Sequence, residues 1–303
     1  MMKNEVANLP LKQKIKYCAE YALLRSLAWA LKEMPSHHAV AFGKGLGRTI
    51  QKLMPTRLNI ARQNLLQTFP GISESELQRI MKECWENLGH GAADFVRMPQ
   101  MSHQELNSLI EVHGLEHIQK SSQQGKGTLI VTAHYGAWEL GAKFWPSRGF
   151  KFAVVARKVK NPYVNDFVTR IRSSHGVHVI FSRDAVRESI RWLKQGNLLA
   201  VLVDHRVNEG GLQTPFLGRP ALTTSLPAVL ALRYRIPVHP VHCWRENGKV
   251  IIHADPAMSF QDLPPTEIHL AEATTRINQV VEQWILKRPE AWLWIHNRWK
   301  INS

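Results

Sequence analysis

The feature that most constrains this fold is a series of short apolar runs set between stretches of helical spacing. The runs are "TLIVTA" (128–133), "FAVVA" (152–156), "VHVIF" (177–181), "LLAVLVD" (198–204), "VHPVHCW" (238–244) and "KVIIHA" (249–254). Helical spacing fills 138–145, 162–173, "DAVRESIRWLKQ" (184–195) and "LPAVLALRYR" (226–235). Runs without alternating polar residues read as strands buried on both faces, and their alternation with helices implies a mostly parallel sheet. In such sheets ligands sit beyond the carboxyl ends of the strands. His134, Arg157 and Asp204 all fall at or just past predicted strand ends.

The N-terminal third reads differently. "SESELQRIMKECWENLGHGAADFV" opens with a capping pair, Ser73 and Glu76, and continues with an apolar stripe at helical spacing. The stripe comprises Leu77, Ile80, Met81, Cys84, Trp85, Leu88, Ala92, Phe95 and Val96, and is expected to face the core. The expected fold is α/β: a helical N-terminal region followed by a mostly parallel mixed sheet with helices on both faces. With no repeat or Gly/Ser linker, residues 1–303 are expected to form a single domain, within which 1–60 is a basic amphipathic membrane-associating region.

Charge points to an anionic partner. The formal net charge is +15, and residues 1–70 carry eleven Lys/Arg against three Glu. Four or five such cations near an anionic leaflet supply roughly 4–5 kcal/mol. The stretch "YCAEYALLRSLAWAL" (17–31) is interrupted by Glu20 and Arg25 and falls short of the roughly 20 apolar residues of a membrane span. It reads as a helix lying on the membrane or as an amphipathic helix packed on the core. No secretory leader opens the chain, so chemistry is expected on the cytoplasmic side.

Several functions are disfavoured. The three cysteines, Cys18, Cys84 and Cys243, are scattered and form no CxxC pair, which argues against a disulfide framework or a cysteine zinc site. Asp204-His205 is a conceivable metal pair, but HExxH spacing is missing, and "FLGRP" has no GxxxxGK[ST] pattern. The tryptophans of "RPEAWLWIHNRWK" (288–300) are of a type that can stack nucleic-acid bases.

In "GTLIVTAHYGAWELG" (127–141) a histidine sits at a strand-to-helix turn, with Glu139 five residues later. Acyl or phosphoryl transfer by a general base needs an imidazole and a carboxylate that fixes its tautomer. Gly136 lets the chain turn, and Glu139 can fold back towards His134 across that turn. On spacing alone, with fifteen histidines in the chain, a structural histidine fits as well.

His134 through Glu139 resembles the HX4(D/E) motif of the lysophospholipid acyltransferase superfamily, and in particular its late acyltransferases of lipid A biosynthesis. "ARKVKNPYVNDFVTRIRSSHG" (156–176), "LVDHR" (202–206), "TPFLGRPALTTSLPAVLA" (214–231) and "RPEAWLWIHNRWK" are similar to later blocks of that family, in order. "RLNIARQNLLQTFPGISESELQRIMKECWENLG" (57–89) has its N-terminal helical look.

The resemblance implies a membrane-associated O-acyltransferase. His134 would deprotonate a hydroxyl of a glycolipid acceptor, most naturally a lipid A precursor, and Glu139 would orient His134. The attacked thioester would be carried by acyl carrier protein or coenzyme A. Counting from Asn161-Pro162, Arg172 falls at the position of the oxyanion arginine, with Arg170 two residues away. Arg157, Asn161, Asp204, Arg219 and Arg170 are expected to contact substrate. No metal, organic cofactor or nucleic acid is expected, the family context turning the terminal tryptophans into a membrane-facing or sheet-covering end. The implied location is the cytoplasmic face of the inner membrane. The same His/acid pair serves acyltransferases of phosphatidylinositol mannosides, so another glycolipid stays open as acceptor. A basic membrane or nucleic-acid binding protein with a structural histidine is the non-enzymatic alternative.

Overall fold

The computed structural model describes residues 9–181, 185–207 and 210–300. Among the described residues four helices come first: α1 (Leu11–Glu33), α2 (Ser36–Leu53), α3 (Pro55–Thr68) and α4 (Glu74–Arg97). Pro35 separates α1 from α2, and Pro55 starts α3, where a missing N–H costs nothing. Ser73 caps α4 by accepting from the Glu76 N–H at 3.2 Å.

The buried face of α4 holds Leu77, Ile80, Met81, Cys84 and Trp85 as expected, and then shifts by one residue: Ala93 is buried and Ala92 exposed. The shift follows from how α2 crosses α4. A Cβ on Gly47 would lie 2.1 Å from the Trp85 carbonyl oxygen, and one on Gly89 2.0 Å from that of Gly43. Only glycines allow the two backbones this close.

The rest of the chain runs α5 (His103–Leu109), β1 (Ile110–His113), α6 (Leu115–Gln123), β2 (Thr128–Thr132), α7 (Trp138–Ser147), β3 (Phe152–Ala156), α8 (Pro162–Ser173) and β4 (Val177–Phe181). Then follow α9 (Ala185–Leu193), β5 (Leu198–Leu202), β6 (Gly211–Phe216), β7 (Arg219–Thr224), α10 (Leu226–Tyr234), β8 (Val238–Glu246), β9 (Lys249–Ala254) and α11 (Glu267–Lys287). Asp184, where the sequence places the start of a helix, lies outside the described residues.

Seven strands form one sheet in the order β1-β9-β8-β2-β5-β3-β4. All neighbours are parallel except β8 and β9, which form an antiparallel hairpin. Helices cover both faces. Leu129, Val131, Leu199 and Val201 point into a core shared with α3, α4, α9, α10 and α11, while Ile130, Leu198 and Ala200 point into a second core with α5, α6 and α7. The period of two along strands β2 and β5 sends alternate side chains to opposite layers.

The features not read from the sequence include one sheet-edge strand and a separate ribbon. The strand β1 is only four residues long, with a half-exposed pattern. The hairpin β6–β7 carries Pro215 directly opposite Pro220. Proline argues against a central strand but is tolerated in a two-stranded ribbon, which is all edge.

Helix α1 does two things at once. Tyr21 stacks on Tyr163 of α8 at 5.7 Å, and Ala28 and Leu31 are buried, while Leu11, Ile15, Leu23 and Trp29 are each more than 60% exposed. Among the described residues no helix is long and apolar enough to cross a membrane.

Candidate active site

The sheet register builds the centre of the site. Strands β2 and β5 are parallel neighbours, with Thr132 opposite Leu202. Two residues beyond each of these ends stand His134 and Asp204, so the two strands deliver them side by side. The His134 backbone N–H donates to Asp204 Oδ2 at 3.0 Å, and the His134 ring Nδ1 lies 3.0 Å from Oδ1. Trp292 Nε1–H donates to Oδ2 at 2.8 Å. Asp204 is fully buried. Burial alone raises its pKa, but the His134 charge and hydrogen bond, His205 and Trp292 outweigh it and hold the carboxyl below the ordinary carboxylate range. An ionised carboxylate only accepts, so Nδ1 of His134 carries a proton, and in the neutral imidazole the lone pair is the one on Nε2. The His134 side chain is 23% exposed.

The turn after His134 is held by the C-terminal segment. The Gly136 N–H donates to the Ala291 carbonyl at 2.8 Å, and Tyr135 bridges to Trp292. Gly136 has φ +57°, and a Cβ there would lie 2.1 Å from the Cys243 carbonyl oxygen. No other residue fits this turn. Trp292, Trp294 and Arg298 are buried, and Asn64 of α3 donates to the Trp294 and His296 carbonyls. Among the closing aromatic residues, therefore, Trp292 and Trp294 pack inside the fold and do not form a membrane-facing end.

Glu139 occupies the first turn of α7. Its carboxylate receives both Nε, at 3.2 Å, and Nη2 of Arg172 from α8, a side-on bidentate pair. Both side chains are about four-fifths buried. The geometry thus differs from the expected His134–Glu139 pairing: Asp204 takes the place on Nδ1, and Glu139 fixes Arg172. Asp204 is reached through sheet pairing across seventy residues, which no local spacing reveals.

Residues 11–301 match the family described as bacterial lipid A biosynthesis acyltransferase. The chain belongs to that family. It is similar to the lipid A biosynthesis lauroyltransferase of Escherichia coli strain K12, 28% identical over 280 residues, spanning 90% of this chain and 88% of the relative. The lipid A biosynthesis palmitoleoyltransferase of the same strain is 23% identical over 276 residues, with coverage of 90% and 88%. A phosphatidylinositol mannoside acyltransferase of Mycobacterium tuberculosis strain CDC 1551 / Oshkosh is 22% identical over 220 residues, with coverage of 71% and 68%.

The remaining expected site residues of this acyltransferase fall in different settings. Arg170 pairs with Asp166 on its own helix and is largely exposed, the ordinary surface i,i+4 arrangement. Asn161 caps α8: Oδ1 accepts from the Tyr163 and Val164 N–H groups, and Nδ2 donates to the Tyr17 carbonyl and the Glu20 carboxylate of α1. All its hydrogen-bonding capacity is used within the fold, which leaves none for a substrate. Arg157 stands exposed just past β3. Arg219 lies with its guanidinium 3.4 Å over the Trp299 ring while Nη1 donates to Gln67. Burial pushes its pKa down to about 10, and its Nε and Nη2 are buried without hydrogen-bond partners among the described residues.

Two histidines that the sequence reading did not assign to the acyl-transfer site complete the centre. His205 stacks on His134 at 3.7 Å and 9°, and His296 stacks on the other side of His205 at 3.9 Å and 12°. Donor atoms of His134, Asp204 and His205 lie within 4.8 Å of one another. Parallel imidazoles aim their in-plane lone pairs side by side, not at one point, and the Asp204 oxygens already accept three hydrogen bonds. This donor set does not suit a tetrahedral ion.

Proposed function

We propose that this acyltransferase moves a fatty acyl chain from an acyl carrier protein or coenzyme A thioester to a hydroxyl of a lipid A precursor. The observation that carries the reading is the partly exposed His134 imidazole, held at Nδ1 by a buried aspartate beyond the carboxyl end of a parallel strand, which leaves Nε2 as the basic nitrogen. In this reading Nε2 removes the acceptor hydroxyl proton as the oxygen attacks the thioester carbonyl. Asp204 holds the tautomer and offsets the imidazolium charge. Arg172, fixed through its Nε edge by Glu139, turns its remaining N–H groups to the tetrahedral oxyanion. Collapse breaks the C–S bond, and the imidazolium returns the proton to the leaving thiolate. Both reactants supply their own bonds, so the step calls for no redox partner.

Arg157 and Arg219 are assigned to anionic parts of the substrates, and the Nε and Nη2 of Arg219, which have no hydrogen-bond partner among the described residues, support its place among them. The exposed apolar residues of α1, set among Lys12, Lys14, Lys16 and Arg25, support peripheral attachment to an anionic bilayer, on the cytoplasmic face of the inner membrane. The similarity to a phosphatidylinositol mannoside acyltransferase favours a second acceptor class, mannosylated phosphoinositides.

The test is mass spectrometry of each acceptor incubated with acyl thioester and purified protein, wild type beside His134→Ala. One acyl increment on a lipid A precursor, lost by about 10²–10⁴-fold in rate in His134→Ala, is expected. An increment only on the mannoside moves the acceptor to that class, and equal rates in both proteins would refute the general base.

A further inference from the structure

The hydrogen bond to Asp204 sets which nitrogen of His134 carries the proton but leaves the tilt of the ring open. Histidine χ2 is a broad torsion, and a hydrogen bond tolerates roughly 30° of misalignment. Such a tilt about the Nδ1 end swings Nε2 by about 1 Å, a displacement of the size that costs about 10²-fold in a proton-transfer geometry. Something else must hold the plane.

That something lies against the ring. His205 covers one face of His134, nearly parallel to it, and is itself backed by His296. The far end of the stack is anchored: His296 Nε2 accepts from the Arg206 backbone N–H at 3.1 Å. The Nε2 of His205 is buried without a hydrogen-bond partner among the described residues. A polar atom left in that state is unfavourable, so hydrogen bonding by Nε2 does not explain the residue; its flat face does. Trp138 meets His134 edge-on with ring centroids 5.4 Å apart, so the imidazole is bounded by a second aromatic ring.

We propose that His205 is a positioning residue for the acyl transfer: a neutral aromatic plate, clamped by His296, that holds the His134 imidazole in the plane from which Nε2 meets the acceptor hydroxyl. It touches neither substrate and acts only through His134. The inference rests on the general-base reading of His134. Its electrostatics agree with its task. Burial, followed by the neighbouring His134, pushes His205 down to about 2, and burial likewise pushes His296 to about 4. Neither neighbour competes for the proton that Nε2 takes, and the stack stays uncharged around a single imidazolium.

The experiment compares wild type, His205→Ala and His205→Phe, each uniformly labelled with ¹⁵N-histidine. Initial rates are measured against the glycolipid acceptor, and the His134 ring resonances, assigned with His134→Gln, are recorded in the same samples. His205→Ala is expected to lower kcat by about 10–10²-fold with acceptor KM within about twofold. The ring-proton shifts of His134 should move as the stacked face is lost. His205→Phe, which restores a flat face but no nitrogen, is expected to recover kcat to within about threefold of wild type. Wild-type kcat in His205→Ala, or a His205→Phe protein as slow as His205→Ala, would overturn the clamp. If the wild type itself transfers no acyl chain, the acyltransferase reading fails, while unmoved His134 resonances in His205→Ala would separately refute the positioning.

Discussion

Replacing Asp204 by asparagine makes a sharp test of which carboxylate serves His134. The carboxylate accepts three hydrogen bonds: Oδ1 from the His134 ring, and Oδ2 from the His134 backbone and the Trp292 indole. Asparagine has one oxygen and one NH₂. If the NH₂ took the Oδ2 position it would face two N–H donors, neither of which can be removed. If it took the Oδ1 position it would face only Nδ1 of His134, which can give up its proton by changing tautomer. The second arrangement wins, since each buried donor left facing another costs about 1–3 kcal/mol. His134 is then protonated at Nε2 and has no lone pair for the acceptor. The same wrong-tautomer change in a Ser-His-Asp triad costs about 10⁴-fold. Asp204→Asn is therefore expected to lose about 10³–10⁴-fold in kcat with KM little changed. Glu139→Gln loosens Arg172 without altering the His134 tautomer, and a smaller loss of about 10–10²-fold is expected. Steady-state acyl transfer, with ¹⁵N spectra to read the tautomer, decides the matter. Asp204→Asn at wild-type kcat, or an Nδ1–H tautomer persisting in that variant, would refute the argument.

Three further outcomes are expected. Gly47→Ala places a Cβ against the Trp85 carbonyl, and a loss of about 1–3 kcal/mol should appear as a lower melting temperature, whereas Gly45→Ala, whose nearest neighbour is the end of Arg48 at 3.9 Å, should be neutral or slightly stabilising. His90, His205, His242 and His296 are pushed by burial down to about 3, 2, 3 and 4. The unfolded chain takes up these protons below about pH 6.5 and the folded one does not, so stability should fall as pH drops from about 6.5 towards 4. The slope is at most about 1.4 kcal/mol per pH unit per histidine, and an unchanged urea midpoint between pH 7 and pH 5 would contradict it. Finally, Leu23→Glu with Trp29→Glu on α1 should weaken sedimentation with anionic vesicles at least tenfold while leaving the melting temperature within about two degrees, because both side chains are exposed; vesicle binding equal to wild type would remove α1 from the membrane contact.

Much of the architecture was legible because strand burial and helix amphipathicity are written in local periodicity. The helix 162–173 and the strands 152–156, 177–181 and 249–254 lie where the pattern places them. The β6–β7 ribbon was not legible, because Pro215 and Pro220 erase the usual strand signal. The site divides along the same line. His134 stood out locally, as a histidine at a strand-to-helix turn, and Asp204 as an acid past another strand. That they are partners follows from the pairing of Thr132 with Leu202, a contact between strands whose order in the sheet differs from their order in the chain.

By itself, then, the amino-acid sequence determined the layers of the fold, the strand ends where chemistry gathers, and the family, since each depends on residue type and spacing along one dimension. Tertiary structure alone decided which acid holds which base. It placed Asp204 on His134, Glu139 on Arg172, Trp292 on Asp204 and two histidines in a stack with His134. Those contacts join residues up to 91 positions apart, and a side chain's partner at that separation is set by sheet register and helix packing, which no local pattern encodes.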